Sequence, residues 1–528
     1  MLAGQPVVIL RENVDRSRGK EAQRSNIMAA KAIAGAVRTT LGPRGMDKML
    51  VSPSGDVVIT NDGATILHEI SVQHPGAKMV VEVAETQDEE VGDGTTTACI
   101  LVGALMEEAE RMLNQNIHPT VIANGYRLGM MKAMEILDGL AITAKGEDRD
   151  LLHKVADTAV TGKSIEAVKD KISGMVVDAV CTVAEHREDG TVVIDEDDIF
   201  IKTMIGDHME GAELVMGFVI DKTRVDKAMP KKMENAKIAL LAHALEITKT
   251  QVSAKIKITS SDQMEAFAEQ ERASLREMAE KIAATGATAV FCQKGIADAV
   301  QYHLAKLGIF AIQDFPEKEL KFVARATGAT IVNKVEDLSG DVLGTAALIE
   351  EMKDIVLTKI TGCENPKTVS ILLKGSSQVF VDELERAVYD AKRVVMDALE
   401  DGTYIVGGAS VDTELLLGIR EYAASVGGRT QLAIEAFANV FEAIPRTLAE
   451  NSGYDPIDKI VELKAAHAAG QKYAGLNVYT GKIVDMYEEG VIEPLRVKRQ
   501  AIQSAAEAAS MLIRVDDMMI TQTHRPGE

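Results

Sequence analysis

The sequence predicts a multidomain protein that combines mainly helical parts with an α/β part, and three observations lead to this prediction. The chain has 528 residues, which corresponds to about three to four domains of ordinary length. Apolar residues recur at helical spacing near both ends, as in residues 27–37, 101–113 and 381–399. From about residue 218 to residue 332, short apolar runs alternate with helical stretches, which is typical of an α/β layer.

A Gly-Asp-Gly-Thr-Thr-Thr stretch at residues 92–97 leads into the helical run of residues 101–113. The threonines are therefore predicted to lie in the first turn of a helix, where free backbone N–H groups and the helix dipole favour an anion. The glycines on either side of Asp93 let the backbone approach that anion closely. A carboxylate beside phosphates needs a divalent cation between them, so the stretch predicts a site for Mg²⁺ and a nucleotide. An ordinary turn with capping threonines is the alternative.

Two turns nearer the N-terminus strengthen the nucleotide prediction. A glycine-rich turn at residues 41–45 follows a helical run, and an Asn-Asp-Gly turn at residues 61–63 follows the apolar residues 57–59. The second turn adds another carboxylate, Asp62. Taken alone, it would also make a good hairpin or strand-to-helix turn without any chemistry. Three such turns so close together favour a binding site.

The Thr-Gly-Lys-Ser stretch at residues 161–164 looks like the end of a P-loop but does not fit that pattern. The first glycine of a P-loop would fall at position 157, which is Asp157. Residues 151–160 are also predicted to be helical, where a P-loop needs a strand. The sequence therefore excludes a P-loop NTPase.

The three turns, in this order and spacing, resemble the nucleotide site of the chaperonins. The resemblance covers nearly the whole chain, and it is closer to the group II chaperonins (the archaeal thermosome, a relative of the eukaryotic cytosolic chaperonin) than to the bacterial type. Further stretches that carry the resemblance lie at residues 386–391, 407–409, 444–451, 475–478 and 490–498.

The resemblance implies a role for each matching residue. Asp390 would be the catalytic base that activates water against the γ-phosphate, and Asp62 would be a second essential aspartate. Asp93 would hold Mg²⁺, Lys163 would sense the γ-phosphate, and Glu493 would accept from ribose hydroxyls. The residues implied to bind ATP or ADP are Leu41, Gly42, Pro43, Gly92, Asp93, Gly94, Thr95, Thr96, Thr97, Lys163, Gly408, Asn477, Glu493 and Lys498.

The resemblance also implies a domain layout in which the middle of the chain is an insertion. It implies a mainly helical equatorial domain, a small α/β intermediate domain and an α/β apical domain with a helical lid protrusion. These would cover, respectively, residues 1–147 with 403–528, residues 148–217 with 369–402, and residues 218–368, with the lid at about 246–275. A charged amphipathic helix packed on a core is the alternative for the lid segment.

The assignments of Asp390 and Lys163 depend most on the resemblance. Asp390 lies in the helical run of residues 381–399, where an acidic side chain is otherwise expected to face solvent. Lys163 lies in the insertion, far in sequence from the Gly-Asp-Gly-Thr-Thr-Thr turn at residues 92–97. We therefore expect its ammonium to reach a γ-phosphate only when the insertion swings inward. A helix from residue 148 to about residue 185, capped by Asp150, is predicted around it.

The function implied is that of an ATP-dependent molecular chaperone, which hydrolyses ATP to ADP and phosphate while it encloses non-native proteins. The partners implied are identical or paralogous subunits in two stacked rings of eight or nine, without a separate lid co-chaperonin. Two other classes remain possible from the residues themselves. One is a metabolic ATPase or kinase, for which no second substrate motif is found, and the other is an oligomeric scaffold in which ATP is structural.

Composition argues against several other functions. Acidic residues outnumber basic residues by 80 to 58, and the net charge of −22 disfavours nucleic acid and anionic membranes as partners. Aromatic residues make up only 4% of the chain, which disfavours a single-strand binder. No apolar run of about 18 residues predicts a membrane span. Scattered cysteines and the absence of a signal-peptide pattern predict reduced thiols in a cytoplasmic protein.

One position departs from the chaperonin pattern. Chaperonins usually have three consecutive glycines where this chain has Gly407, Gly408 and Ala409. The methyl group of Ala409 constrains the backbone if that position needs a positive φ. The departure therefore affects the adenine side of the implied site and leaves its phosphate side unchanged.

Overall fold

The computed structural model describes residues 14–52, 55, 57–144, 147–163, 168–206, 212–247, 261–352, 356–363 and 368–521. The chain divides into two compact units, and each is described by itself. The first unit comprises Met1–Val177 and Asp382–Glu528, and the second comprises Asp178–Val381.

The helices of the described residues are, in chain order, α1 (Lys20–Arg38), α2 (Gly63–Glu69), α3 (Pro75–Val91), α4 (Thr95–Asn114), α5 (Pro119–Leu140), α6 (Arg149–Val160), α7 (Lys169–Val183), α8 (Ser261–Ala284), α9 (Asp298–Lys306), α10 (Glu317–Thr327), α11 (Gln378–Asp401), α12 (Ser410–Val426), α13 (Gly428–Asn439), α14 (Ala443–Asn451), α15 (Pro456–Ala468) and α16 (Leu495–Arg514). The boundaries between the two units fall within α7 and α11.

The strands are β1 (Val14–Arg18), β2 (Lys48–Val51), β3 (Val57–Thr60), β4 (Ile142–Thr143), β5 (Glu185–His186), β6 (Val192–Val193), β7 (Ile199–Ile205), β8 (Ala212–Val215), β9 (Gly217–Ile220), β10 (Lys232–Leu241), β11 (Ala289–Cys292), β12 (Phe310–Ile312), β13 (Ile331–Val332), β14 (Gly344–Glu351), β15 (Thr358–Cys363), β16 (Val369–Gly375), β17 (Thr403–Val406), β18 (Ala474–Asn477), β19 (Lys482–Asp485), β20 (Ile492–Pro494) and β21 (Asp517–Thr521).

The first unit is mainly helical and is built around α4. Residues 98–102 of α4 are all buried, and a helix that is apolar on every side belongs in the middle of a core. Helices α1, α3, α5, α13 and α16 surround it and contribute to one hydrophobic cluster. At Gly103 a side chain would collide with the Cβ of Ala34, so α1 and α4 approach closely there. The N-terminus of α4, which begins at the Thr-Thr-Thr stretch, is thereby fixed in the unit.

The second unit contains a seven-stranded sheet in which β11 and β12 run parallel to β10, and β14 runs antiparallel to it. Alternate residues of β10 face two different clusters: Ile238 and Leu240 face one, and Ala239 and Leu241 face the other. Helix α10 packs in the first cluster, and α8 and α9 pack in the second. The predicted α/β layer is confirmed, since the apolar runs taken as strands form β10 to β13.

A separate three-stranded sheet joins the ends of the long insertion. Strand β16 pairs parallel with β7, with Val369 beside Ile199, and antiparallel with β8. Strands β7 and β8 belong to the first predicted piece of the intermediate domain, and β16 belongs to the second. Pairing across this sheet therefore brings the two pieces together.

Several local predictions need correction. The helix predicted from residue 148 to about residue 185 is interrupted, because α6 ends at Val160 and α7 begins at Lys169. The N-terminal cap of α6 is Asp148, whose Oδ1 accepts from Leu151 N at 3.1 Å, and not Asp150, which lies in the first turn. Asp148 is favoured because a cap must precede the first helical residue.

Helix α8 differs along its length. None of residues 265–274 is buried, and Phe267 is 41% exposed. The second half packs on the unit, since Ala279 and Ile282 are fully buried in the cluster with α9. A helix that lay on a core throughout would bury a stripe along its whole length. Residues 248–260 of the predicted lid lie outside the described residues.

Within the part of the chain that the structure describes, no helix combines the length and apolar character needed to cross a membrane.

Candidate nucleotide site

A cavity of about 640 Å³ lies within the first unit, a size suited to a small ligand. Every predicted site residue except Gly92 lines it. The predicted residues that line it are Leu41, Gly42, Pro43, Asp62, Asp93, Gly94, Thr95, Thr96, Thr97, Lys163, Asp390, Gly408, Asn477, Glu493 and Lys498. Residues from both ends of the sequence therefore meet at one place.

The phosphate-side turn, residues 92–97, joins α3 to α4 through left-handed backbone. Gly92 has a φ of +73° and Gly94 a φ of +81°, values at which a side chain is strained. A Cβ atom at Gly92 would also lie 2.5 Å from the Cβ of Arg393. Gly92 thus permits the turn that presents Asp93 to the cavity. The first N–H groups of α4, from Thr95 onward, have no intrahelical acceptor and suit an anion.

The carboxylate of Asp62 joins the second predicted turn to the phosphate-side turn. Asp62 caps α2, because its Oδ2 accepts from Thr65 N at 2.7 Å. Its Oδ1 accepts from Thr95 Oγ1 at 3.1 Å. Residues 61–63 therefore form a strand-to-helix turn between β3 and α2, and the same turn faces the cavity.

Side-chain amides hold the remaining cavity segments in place. Asn61 Nδ2 donates to Gly162 O at 2.7 Å, immediately before Lys163. Asn451 Nδ2 donates to Leu41 O at 2.9 Å. Asn451 lies in one of the stretches that carried the resemblance, and its structural task is to anchor the turn at residues 41–45.

Lys163 and Asp390 form an ion pair through Nζ and Oδ2, with side chains 12% and 11% exposed. Burial raises the pKa of Asp390 to about 8, although Lys163 acts in the opposite direction. Burial by itself would lower the pKa of Lys163, but the carboxylates of Asp390 and Asp93 outweigh it, and the pKa is raised. The ammonium therefore lines the cavity, and its approach to a γ-phosphate by an inward swing stays a prediction. The hydrogen bond from Asn61 to Gly162 accounts for this position.

Acidic side chains lie close together near the turn at residues 92–97. Burial raises the pKa of Asp93, and the carboxylate of Asp62 adds to this effect. Burial also raises the pKa of Asp88, on α3, to about 6, with Asp62 and Asp93 contributing. Like charges at close range favour neutralisation by a proton or a cation. No group of three His, Cys, Asp or Glu side chains among the described residues is placed to hold a metal ion. A cation here would therefore need further oxygen ligands.

Strands β17 and β20 and the β18–β19 hairpin complete the cavity. Leu476 N donates to Gly408 O at 2.9 Å, which joins the turn at residues 407–409 to the hairpin. Glu493 lies on β20 beside Ile405 of β17. Burial raises the pKa of the Glu493 carboxyl, and Lys498 opposes the shift.

Lys498 and Asn477 also make hydrogen bonds with protein groups. Lys498 Nζ lies 3.0 Å from Asp412 Oδ2, and both side chains are buried. Asn477 Oδ1 accepts from Tyr479 N at 3.1 Å, and its Nδ2 donates to Glu489 Oε2 at 3.2 Å. These polar groups therefore shape the cavity wall as well as line it.

Ala409 has a positive φ, which is the condition under which its methyl group was expected to constrain the backbone. Its φ is +67°, it is 3% exposed, and it precedes the first residue of α12. The left-handed region costs a residue with a side chain roughly 1–2 kcal/mol. The absence of the third glycine therefore leaves local backbone strain next to Gly408.

Sequence reasoning missed several residues at or behind the cavity. Asp157 of α6 lines it, and Asp157 Oδ1 is buried without a hydrogen-bond partner among the described residues. Asp412 and Tyr479 line it as well. An acidic residue in the first turn of a helix is so common that Asp412 gave no signal. Gln87, on α3, lies behind the phosphate-side turn and had no local pattern to mark it.

The sequence model of the TCP-1/cpn60 chaperonin family matches residues 33–523. The chain is similar to thermosome subunit beta of Archaeoglobus fulgidus, with 54% identity over 520 residues that cover 98% of this chain and 95% of the relative. It is similar to a thermosome subunit of Methanopyrus kandleri, with 53% identity over 523 residues (98% and 96%). It is also similar to thermosome subunit alpha of Archaeoglobus fulgidus, with 51% identity over 520 residues (98% and 95%).

Proposed function

The chain belongs to the TCP-1/cpn60 chaperonin family, and from this membership we propose that it is an ATP-dependent molecular chaperone of the thermosome type. It would bind ATP, hydrolyse it to ADP and phosphate, and use the cycle to enclose non-native proteins. One observation carries the proposal: residues that are far apart in the sequence, and that were chosen from the sequence alone, line a single cavity.

Residues that line the cavity suit several of the roles that phosphoryl transfer to water requires, apart from that of the metal ion. Asp390 would accept the proton of the attacking water, since its carboxylate lies in the cavity and its raised pKa makes it a better base. Lys163 would bind the γ-phosphate with the ammonium that now contacts Asp390. The N–H groups and hydroxyls at the start of α4 would bind phosphate oxygens. Glu493 would accept from the ribose hydroxyls.

A single Mg²⁺ ion is compatible with the turn at residues 92–97, because the carboxylates of Asp93 and Asp62 lie near each other there and both line the cavity. Asp93 would hold the cation, and phosphate and water oxygens would complete its ligands. When bound, Mg²⁺ would neutralise phosphate charge. Asp62 is already used by Thr65 N and Thr95 Oγ1, so we expect it to position the α4 N-terminus and to act on the cation only through nearby water.

The domain layout and partners are part of the same proposal. Strand pairing between β7, β8 and β16 supports an intermediate domain made of two pieces. Residues 265–274 of α8, none of which is buried, support a lid protrusion. Relatives named alpha and beta in one organism support rings of paralogous subunits, with identical subunits as the other arrangement. We propose two stacked rings of eight or nine subunits in the cytoplasm.

The test is native mass together with client protection. A subunit of 56.8 kDa in such a double ring gives a particle of about 0.9–1.0 MDa, which light scattering or native mass spectrometry measures. ATP should then be hydrolysed, and a bound non-native protein should become resistant to protease. A monomer or dimer, or a particle that hydrolyses ATP without protecting a client, would contradict the proposal.

A further inference from the structure

Gln87 connects two walls of the cavity without lining it. Its side chain is fully buried on α3, just before the phosphate-side turn. Its Nε2 donates to two backbone oxygens, Asp93 O at 2.8 Å and Val497 O at 3.1 Å. Asp93 belongs to the phosphate-side turn. Val497 lies in the first turn of α16, next to Lys498.

The two carbonyl oxygens determine which end of the amide faces them. If the amide were turned over, Gln87 Oε1 would face two acceptors and make no hydrogen bond. In the present orientation Oε1 is buried, and no donor from the described residues reaches it. A buried acceptor without a partner destabilises a fold, whereas an apolar side chain of similar length would avoid that cost. The two hydrogen bonds that Nε2 donates therefore indicate that Gln87 has a role other than filling space in the core.

The planarity of the peptide bond indicates this role, because a hydrogen bond to the carbonyl of Asp93 also determines the direction of the Gly94 N–H. In a trans peptide the C=O and the N–H point in opposite directions. Gln87 holds the carbonyl of Asp93, so the N–H of Gly94 points away from Gln87. That N–H donates to Asp93 Oδ1 at 2.6 Å. A Cβ at Gly94 would lie 3.1 Å from Gln87 Nε2 and 2.9 Å from Val497 Cγ1, so the turn fits closely against both residues.

We propose that Gln87 is a positioning residue of the nucleotide site. It sets the direction of the peptide between Asp93 and Gly94, and with it the place of the Asp93 carboxylate. It also ties this turn to the first turn of α16, next to Lys498, so that residues from two walls of the cavity bind one ligand together. The inference rests on the proposed nucleotide binding, and it makes Mg²⁺–nucleotide affinity depend on a residue that does not touch the nucleotide.

The test compares two variants of the full-length protein. Gln87→Met keeps the length without a donor, and Gln87→Glu keeps the shape but presents a carboxylate to two carbonyl oxygens. Calorimetry with Mg²⁺ and ADP, together with kcat and KM for ATP hydrolysis, measures the result. We expect Gln87→Met to bind Mg²⁺–ADP about tenfold more weakly, as for the loss of a buried hydrogen bond. Gln87→Glu should bind more weakly still at pH 8.

Two further measurements test the role of Gln87: the pH dependence of binding, and the KM of the folded fraction, which distinguishes positioning from folding. As the pH falls, Gln87→Glu should regain affinity relative to the parent, because a protonated carboxyl can donate to one of the two carbonyls. Gln87→Met should show no such recovery. A residue needed only for folding would reduce the fraction of active protein and leave the KM of the folded fraction unchanged.

Gln500→Met is the matched control. Gln500 lies on α16, the helix that contains Val497, and its Nε2 donates to Ser504 Oγ at 3.1 Å, so this variant should bind like the parent. If the parent does not bind Mg²⁺–ADP, the proposed function itself fails. If the parent binds and both Gln87 variants agree with it within about twofold, only the role of Gln87 is overturned. If Gln87→Met does not fold, Gln87→Asn tests the same role. This variant keeps the amide but is one methylene shorter.

Discussion

The ammonium of Lys163 lies against the carboxylate of Asp390, and the two residues are 227 positions apart in the sequence. Both side chains are largely buried, so each charge depends on the other. A γ-phosphate in the cavity would compete with Asp390 for the same ammonium. Transfer of Lys163 to the phosphate would then leave Asp390 able to accept a proton from water. This exchange would connect the proposed nucleotide recognition to the proposed catalysis.

The first prediction concerns Asp390. Asp390→Ala should still bind ATP but should hydrolyse it about 10²-fold or more slowly, the usual effect of losing a positioned base. Because burial raises the pKa of Asp390 to about 8, the fraction of unprotonated base grows as the pH rises through that value. We therefore expect kcat/KM of the parent to increase from about pH 6 to about pH 9.

Asp401→Ala is the control for this prediction. Asp401 lies on the same helix, α11, but does not line the cavity, so its variant should keep the parent's kcat. A parent-like kcat in Asp390→Ala, or a pH profile that is flat from pH 5, would remove Asp390 from the mechanism.

The second prediction concerns Lys163. Lys163→Met keeps the length of the side chain but not its charge, and rings and ADP binding should be retained. ATP-driven closure, measured by protease protection or small-angle scattering, should be impaired because no ammonium meets the γ-phosphate. Since Lys163 lowers the pKa of Asp390, its loss should also move the rise of kcat/KM to higher pH. Normal closure together with an unchanged pH profile would contradict both roles.

The third prediction separates the charge of Asp93 from its hydrogen bond. Asp93→Asn can still accept from Gly94 N, so the turn should persist, whereas Asp93→Ala loses both. In the parent, a carboxylate beside phosphates should make ADP binding much stronger with Mg²⁺ than with EDTA. In Asp93→Asn the affinity with Mg²⁺ should fall, while the affinity in EDTA should be equal or higher because the repulsion is gone. Equal dependence on Mg²⁺ in parent and variant would show that Asp93 does not hold the cation.

The turn at residues 92–97 could be predicted from the sequence because its pattern is local. A glycine turn followed by hydroxyl residues at the start of a helix can be recognised within a few positions, and residues 92–97 form that turn. For Asp62 the sequence offered two alternatives, an ordinary strand-to-helix turn or a carboxylate of a binding site. The structure shows that Asp62 caps α2 and also faces the cavity, so both features occur together.

Other contacts of the site could not be predicted, because tertiary packing creates them. Gln87 and Val497 are 410 positions apart, and Lys498 and Asp412 are 86 positions apart. No periodicity or local motif links such pairs. The placement of Lys163 likewise depends on the hydrogen bond from Asn61 to Gly162, across 101 positions. The resemblance to chaperonins pointed to Lys163 as a site residue, but it did not predict the hydrogen bond from Asn61 to Gly162.

The fourth prediction concerns backbone strain. Ala409→Gly should stabilise the first unit, because it relieves a left-handed alanine that costs roughly 1–2 kcal/mol, less the entropy that glycine gains in the unfolded chain. We expect a net gain of about 0.5–1 kcal/mol in the free energy of unfolding, measured by urea denaturation. Ala424→Gly is the control, since it makes the same change at an exposed position of α12 and should destabilise by about 1 kcal/mol. A loss of stability in Ala409→Gly would mean that the alanine methyl contributes packing that outweighs the strain.

The last prediction concerns the lid segment. Residues 246–274 can be replaced by a short polar turn, because residues 265–274 of α8 bury no side chain, whereas Ala279 and Ile282 must stay to complete the core. The variant should keep the proposed rings and ATP hydrolysis, since the candidate nucleotide cavity lies in the first unit. A bound client should become sensitive to protease in the presence of ATP, because Phe267, with Ile256, Ile258 and Met264 of the same segment, would no longer meet neighbouring subunits over the opening. Ile282→Asp is the contrasting variant and should unfold the second unit. If the deletion variant unfolds, the segment belongs to an ordinary core, and if it still protects its client, the lid lies elsewhere.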